Sequence, residues 1–142
     1  MILTTTMCMS VMLYHEARSA SIDEQISVAQ VALNRAQVQD KPLCGVVFDK
    51  NQFNWSSKYK KKSFASYKQM LQYYDIKDQT SWMVAVGVAS TTKFIDSSAY
   101  FYHDNTIKGF GWNKGNLVVV EKTPKFTFYR YRMDKLKYAS RS

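Results

Sequence analysis

The beginning of the chain constrains the fold most, because it contains two successive helix signals separated by a carboxylate. Three threonines at positions 4–6 can cap a helix, and the chain from Met7 to Tyr14 is mostly apolar. Glu16 lies four residues after Met12 and three after Leu13, so these side chains share one face of a continued helix. We therefore expect Glu16 at the end of a helix whose apolar face points inward.

A carboxylate in that position holds its proton tightly for two reasons. Apolar surroundings remove hydration from the charged form, and the negative end of the helix dipole disfavours another negative charge. Both effects would suit Glu16 to donate a proton near neutral pH. The alternative is an ordinary surface glutamate that is solvated or paired with Arg18.

A second helix signal follows directly. Ser21 and Glu24 have the spacing of a capping box. Five apolar residues then repeat at helical spacing: Ile22, Ile26, Ala29, Leu33 and Ala36. We expect a largely buried helix that ends at Asn34 and Arg35, ahead of Pro42, with Asn34 as a capping or packing amide.

The remaining chain changes from helical to strand patterns. Ser63 and either Asp78 or Thr80 are candidate caps of two further helices, and the apolar segment 82–89 is a candidate central helix. Three later segments predict strands, with a turn at 123–124: residues 99–102, 117–120 and 125–132. The predicted fold is α+β, with N-terminal helices packed against a small C-terminal antiparallel sheet.

Composition indicates one domain over residues 1–142, with a basic tail from about residue 134 that frays. The 20 Lys and Arg residues against 11 Asp and Glu give a net charge of +9. This charge predicts an anionic partner: nucleic acid, an acidic membrane surface or an anionic cell wall. Cys8 and Cys44 form no metal or redox motif, so buried free thiols are the default expectation, with one disulfide as the alternative.

The sequence contains neither a recognisable signal peptide nor a membrane-spanning segment. The first cationic side chain is Arg18, so the basic region that opens a signal peptide is missing. No apolar run approaches the length of a membrane span. We expect a substrate outside the cytoplasm to be reached only after another protein lets this one through.

Six segments occur in an order that carries a family resemblance: His15–Arg18, Val28–Arg35, Cys44–Phe48, Gln52–Trp55, Ala99–His103 and Phe128–Tyr129. Together, over about residues 10–132, they resemble the SleB-type cell-wall hydrolases, which include spore-cortex lytic enzymes and phage endolysins. The resemblance implies a lysozyme-like fold. In that fold a catalytic glutamate at a helix end faces a groove walled partly by the sheet.

The resemblance also implies an activity, namely cleavage of the β-1,4 bond between N-acetylmuramic acid and N-acetylglucosamine in peptidoglycan. The single catalytic domain, the positive charge and the missing export signal favour a phage endolysin. The resemblance gives Glu16 the role of general acid and then general base in a lytic transglycosylase, where the sugar's own 6-hydroxyl attacks. Six matching positions would bind the glycan: Gln52, Phe53, Tyr102, His103, Trp112 and Tyr129. We expect a monomer without metal or cofactor that is made in the host cytoplasm and acts on the wall in the periplasm.

Several side chains have alternative interpretations. We expect Tyr102 and Trp112 to stack on or flank sugars, and His103 to serve as a structural hydrogen-bonding group. Trp55 is either a core residue or a sugar contact. The lysine-rich loop Lys58–Lys62 is a solvated loop or a phosphate-binding patch.

Two departures from the family pattern leave the mechanism open. Ser19 and Ala20 stand where the family commonly has Gly-Glu, and residues 123–126 replace its Ile-Gly-Asn-His. A hydrolytic muramidase would need a second carboxylate, and the candidates lie in no motif: Asp49, Asp96 and Asp104.

Other function classes find less support. A zinc amidase or endopeptidase needs about three ligands, and His15 and His103 are the only histidines. A Cys–His peptidase would use Cys44 and His103, although Cys44 lies in an apolar segment. A basic nucleic-acid-binding module would use the lysine-rich loop and the aromatic sheet, but no recognition motif is present, so we expect no specific nucleic-acid binding.

Overall fold

A computed structural model describes residues 1–49, 53–61, 63–94, 99–106 and 116–132. Within these ranges the elements are α1 (Thr5–Ala17), α2 (Ile22–Gln39), α3 (Leu43–Val47), a 3-10 helix (Asn54–Lys58), α4 (Tyr67–Tyr73), α5 (Gln79–Thr91), β1 (Phe101–Asp104), β2 (Leu117–Lys122) and β3 (Phe126–Tyr131). The order confirms the predicted α+β class and is consistent with a lysozyme-like arrangement of helices against a small sheet. None of the helices in the described part of the chain has the length and apolar character needed to cross a bilayer.

The central helix of the fold is α1. Thr4 caps it by accepting a hydrogen bond from the Met7 N–H, and eight of its 13 residues are buried. The prediction that the segment within α5 is central is wrong, because only Trp82, Ala85 and Val88 of that helix are buried. Its Met83 side chain is 72% exposed. Apolar composition alone does not show which helix is surrounded by others, and α1 packs against α2, α3 and α5.

Helix α2 begins at the predicted capping box, in which Ser21 and Glu24 bond each other's backbone N–H groups. The predicted end at Asn34 and Arg35 is wrong, since the helix continues to Gln39 and ends at Asp40 in a left-handed conformation, φ 52°. Asn34 is instead a packing amide. Its Nδ2 donates to the Ala99 carbonyl at 2.8 Å, which ties the helix to the chain that enters the sheet.

Cys8 and Cys44 form a disulfide, so the expectation of free thiols is wrong. The two residues are 36 apart in sequence, and their Cα atoms lie 5.4 Å apart because α3 packs against α1. The bond closes a long loop in the unfolded chain and therefore adds stability. It also consumes the thiol that a Cys–His peptidase would use as its nucleophile.

The three described strands form an antiparallel sheet in the order β1-β3-β2. Strand β1 begins two residues later than predicted, because the carbonyls of Ala99 and Tyr100 accept hydrogen bonds from α2 side chains. His103 and Asp104, which lie beyond the predicted strand segment, extend the strand by pairing with β3. The turn predicted at 123–124 is confirmed as the connection from β2 to β3.

The sheet is fixed to the helices through the buried side chain of Glu24. Its Oε2 accepts hydrogen bonds from the Thr123 hydroxyl at 2.6 Å and the Lys125 N–H at 2.9 Å. These bonds, led by the Thr123 hydroxyl, lower the pKa of Glu24 to about 2. The Lys125 ammonium also donates to the Ser19 hydroxyl. Both segments that depart from the family pattern therefore meet at this junction.

Two remaining caps complete the helical part. Asp78 caps α5 by accepting from the Ser81 N–H, as predicted. The prediction for Ser63 is wrong, because Ser66 caps α4 and Ser63 instead forms an isolated bridge with Ile2. The three-residue difference follows from that bridge, which keeps the chain extended at Ser63.

Candidate active site

Glu16 occupies the last turn of α1, one residue before the helix ends, and its side chain is partly buried. Its Oε1 accepts a hydrogen bond of 3.1 Å from the indole N–H of Trp55, which lies in the 3-10 helix. Arg18, its partner in the surface-glutamate interpretation, donates instead to the Tyr14 hydroxyl at 2.7 Å. The Glu16 side chain is therefore fixed by Trp55 rather than by an ion pair with Arg18.

Burial is the dominant influence on Glu16, and it raises the pKa of this carboxyl above its ordinary value. Interactions with the Tyr102 hydroxyl and the Trp55 N–H act in the opposite direction by favouring the ionised form. The positive charge of Arg35 also lowers the pKa of Glu16. Burial thus favours the protonated carboxyl of Glu16, while these three neighbouring groups favour its carboxylate form.

Tyr102 directs its hydroxyl toward Glu16 from the sheet. Its ring packs at 5.5 Å from Phe126 and 5.7 Å from Phe128, so the ring is a core contact. The hydroxyl is buried, and among the described residues it has no partner at full hydrogen-bond geometry. Burial first, and then the charge of Glu16, raise the pKa of Tyr102, so the hydroxyl keeps its proton as a donor.

Arg35 approaches the same place from α2. Its Nε donates to the Tyr100 carbonyl at 2.7 Å. Its guanidinium carbon lies 5.3 Å from the centre of the Phe53 ring and 5.5 Å from that of Phe101. Burial lowers the pKa of Arg35, and its interaction with Glu16 partly opposes that shift.

The ring of Trp55 is enclosed by aromatic neighbours. It stacks on His15 with ring centres 4.8 Å apart and an interplanar angle of 17°. Phe53 lies nearly parallel at 6.3 Å, and Phe48 packs edge-on at 6.0 Å. His15 is fixed in turn, because its Nε2 lies 2.8 Å from the Tyr74 carbonyl oxygen.

The predicted glycan-binding residues do not all come together. Phe53 is buried beside Trp55, and Tyr102 faces Glu16. The register of β1 and β3 puts His103 and Tyr129 on the opposite face of the sheet from Tyr102. Their side chains bond each other, His103 Nε2 to Tyr129 Oη, at 2.8 Å.

Gln52 and Trp112 lie outside the described residues. Glycan binding by all six predicted residues stays a prediction. The ring of Tyr102 packs against Phe126, so its hydroxyl rather than its ring is the group that can act at the site.

The candidates for a second carboxylate have other contacts. Asp49 forms an ion pair of 3.5 Å with Lys41. Asp104 accepts hydrogen bonds from the backbone and hydroxyl of Thr106, and these bonds lower its pKa. Asp96 lies outside the described residues. In the part of the chain that the structure describes, no three His, Cys, Asp or Glu side chains are grouped so as to hold a metal ion.

Sequence reasoning missed the roles of two residues near Glu16. Arg35 was interpreted only as a helix end, and Trp55 as core or a sugar contact, yet both interact with the carboxylate. The available signal was their position inside the motif segments 28–35 and 52–55. Glu16 is the only acidic residue in the first motif segment. Arg35 and Trp55, which can donate hydrogen bonds, were therefore candidate partners for it.

A family model described as Cell Wall Hydrolase matches residues 19–129. The match begins three residues after Glu16, so the interpretation of that carboxylate rests on its surroundings. No curated protein and no solved structure gives a significant match to the chain.

Proposed function

The chain belongs to the cell wall hydrolase family, and we propose that it cleaves the β-1,4 bond between N-acetylmuramic acid and N-acetylglucosamine. In this proposal it is a lytic transglycosylase with Glu16 as its single acid and base. The observation that carries the proposal is the partly buried carboxyl of Glu16, whose pKa is raised by burial while its Oε1 is held by Trp55. Such a group holds its proton to higher pH than an exposed carboxyl does, and it occupies a fixed position.

The reaction begins with Glu16 in its protonated form. It transfers its proton to the bridging oxygen as the bond from that oxygen to C1 breaks, and positive charge develops on C1 and the ring oxygen. The carboxylate then removes the proton of the muramic acid 6-hydroxyl while that oxygen bonds to C1. The product is a 1,6-anhydro ring, and Glu16 regains its proton.

The residues around Glu16 support both halves of this cycle. The charge of Arg35 and the hydroxyl of Tyr102 favour the carboxylate that forms when the proton leaves. Burial favours the protonated carboxyl that begins the next cycle. A single carboxylate can therefore alternate between acid and base without a second one.

Hydrolysis of the same bond is the alternative, and it would require a carboxylate that activates water. Of the candidates within the described residues, Asp49 forms an ion pair with Lys41 and Asp104 accepts hydrogen bonds from Thr106. These contacts favour transglycosylation.

We further propose that the protein acts as a phage endolysin in the periplasm, after another protein allows it to leave the host cytoplasm. The Cys8–Cys44 disulfide supports action in an oxidising compartment, where such bonds persist. The net charge of +9 supports attraction to an anionic wall or outer-membrane surface. The exposed lysines Lys58, Lys60 and Lys61 follow Trp55 closely in the chain and are the candidate contacts.

Digestion of purified peptidoglycan tests the chemistry of the products. Mass spectrometry of the released muropeptides should find anhydro-muramyl ends, since no water is added in the proposed reaction. Reducing muramyl ends would show hydrolysis and would overturn the transglycosylase mechanism. Release of peptide stems from glycan strands that remain intact would overturn the choice of bond.

A binding assay separates a wall enzyme from a basic nucleic-acid-binding module. A random DNA duplex should bind weakly, with an affinity that falls steeply as salt rises, while peptidoglycan turbidity decreases at the same protein concentration. Tight duplex binding with no loss of turbidity would contradict the proposal.

A further inference from the structure

Trp55 contacts two consecutive residues in the last turn of α1. Its indole N–H donates to Oε1 of Glu16 at 3.1 Å, and its ring stacks on His15 at 4.8 Å. Trp55 and Glu16 are 39 positions apart in the chain. One side chain of the 3-10 helix therefore fixes the position of the helix end that presents the carboxylate.

The stacked ring of His15 is itself held in place. The Tyr74 carbonyl can only accept a hydrogen bond, so Nε2 of His15 carries the hydrogen at 2.8 Å. The ring also lies 5.4 Å from Tyr59 and 5.5 Å from Tyr14. The indole of Trp55 consequently rests on a ring that has little freedom to rotate.

We propose that Trp55 is a positioning residue for Glu16, held in register by the stacked ring of His15. The inference rests on the proposed function and adds a role that neither the family match nor the sequence supplied. The N–H occupies Oε1, so in this proposal the proton is transferred from the other carboxyl oxygen. It also stabilises the carboxylate, and so limits how strongly the site retains the proton.

This role differs from that of a sugar-stacking tryptophan. The ring of Trp55 already packs against His15, Phe53 and Phe48, while its one polar group points at the carboxylate. Loss of the N–H alone should therefore affect catalysis more than substrate affinity.

The test replaces Trp55 by Phe, which retains an aromatic ring and removes the N–H. We expect kcat on soluble glycan fragments to fall by about tenfold while KM changes less than about twofold. The alkaline limb of the kcat profile should move to higher pH, because the carboxylate loses a stabilising donor. Among the residues that the structure describes, the other titratable groups that face Glu16 are Tyr102 and Arg35, both of which keep their protons in this range.

Trp82→Phe is the matched control. The Trp82 indole N–H donates to the Tyr67 hydroxyl, so this variant also loses an indole hydrogen bond in a buried position. Its pH profile should match that of the unaltered protein. If Trp55→Phe and Trp82→Phe change kcat and the pH profile equally, Trp55 has only a structural role.

Nuclear magnetic resonance tests the contact without depending on the stability of a Trp55 variant. The indole N–H signal absent from Trp55→Phe spectra should titrate with pH in the unaltered protein, and that step should disappear in Glu16→Gln. Where Trp55→Phe does not fold, the signals of Trp82 and Trp112 are assigned by their own Phe variants, and the remaining signal is Trp55. A His15→Gln variant separates any step caused by the histidine. An identical titration in Glu16→Gln would overturn the inference.

The outcome is separable from that of the proposed function. If Glu16→Gln remains active, the proposed function fails. If Glu16→Gln is inactive but Trp55→Phe retains the normal kcat and pH profile, only the positioning role fails.

Discussion

Arg35 on α2 donates its Nε to the carbonyl oxygen of Tyr100 at 2.7 Å, just before the first strand of the sheet. This bond joins the helical and sheet parts of the fold at the place where Glu16 is presented. The same guanidinium contributes positive charge to the surroundings of Glu16. Structural linkage and electrostatic support therefore depend on one side chain.

Arg35→Gln should reduce kcat by about tenfold or more, because the carboxylate formed on proton donation loses a nearby positive charge. The pKa of Glu16 should rise further, since Arg35 lowers it in the folded protein. The pH dependence of kcat measures this as a shift of the alkaline limb to higher pH. Arg130→Gln is the matched control, as its Nη1 donates to the Tyr131 carbonyl in the sheet. A shift toward lower pH in Arg35→Gln would contradict this role.

Tyr102→Phe should separate activity from stability. The ring can keep its contacts with Phe126 and Phe128, and the hydroxyl that is removed has no fully formed hydrogen bond among the described residues. Removing a buried, unsatisfied hydroxyl should leave the free energy of unfolding unchanged or slightly higher. We expect kcat to fall by a few fold, because Glu16 loses the interaction with this hydroxyl that favours its ionised form.

Urea unfolding and kinetics on the same preparation measure both effects. Tyr129→Phe provides the contrast, since that hydroxyl bonds the His103 ring and its loss should reduce stability. A Tyr102→Phe variant with normal kcat would show that the hydroxyl does not assist Glu16.

Glu24→Gln should destabilise the fold by about 1–3 kcal/mol at neutral pH, because three described donors bond this carboxylate. The pKa of Glu24 is lowered to about 2 in the folded protein, from an unfolded value of about 4.5. Its stabilisation is therefore complete above pH of about 4.5 and is lost as the pH falls through about 2. Urea unfolding at pH 7 and at pH 2 measures the change.

The control for Glu24 is Asp23→Asn, at an exposed neighbour in the same first turn. It should change stability much less than Glu24→Gln at pH 7. A difference between Glu24→Gln and the unaltered protein that stays constant down to pH 2 would contradict the linkage.

Reduction of the Cys8–Cys44 disulfide should lower the free energy of unfolding by about 3–4 kcal/mol, as expected for closure of a 36-residue loop. Urea unfolding of the oxidised protein and of a Cys8→Ala, Cys44→Ala double variant measures the difference. The unaltered protein with reductant should behave like the double variant, and the stability of the double variant should not change when reductant is added. Equal stability of the oxidised and double-variant proteins would contradict a stabilising role.

Features governed by neighbouring residues could be predicted from the sequence. The caps at Ser21 and Asp78 depend on side chains that bond backbone groups three residues away, so spacing alone reveals them. The turn at 123–124 and the α+β order are similarly local. Glu16 at a helix end followed from the apolar positions Met12 and Leu13, both of which are fully buried.

Features governed by distant residues could not be predicted in the same way. Helix α2 continues past Asn34 because that amide finds its partner at Ala99, 65 residues away. Cys8 and Cys44 pair because two helices pack together, which no spacing rule expresses. The bond from Trp55 to Glu16 has the same origin, so the surroundings of the carboxylate had to come from the structure.

The most direct measurement of the central claim is the lysis of purified sacculi by Glu16→Gln, compared with the unaltered protein and with Asp49→Asn. Far-ultraviolet circular dichroism and thermal unfolding should first show that both variants are folded. We predict that Glu16→Gln loses at least about a hundredfold in the rate of muropeptide release, because an amide cannot donate the required proton, while Asp49→Asn remains active. Undiminished lysis by folded Glu16→Gln would contradict the account.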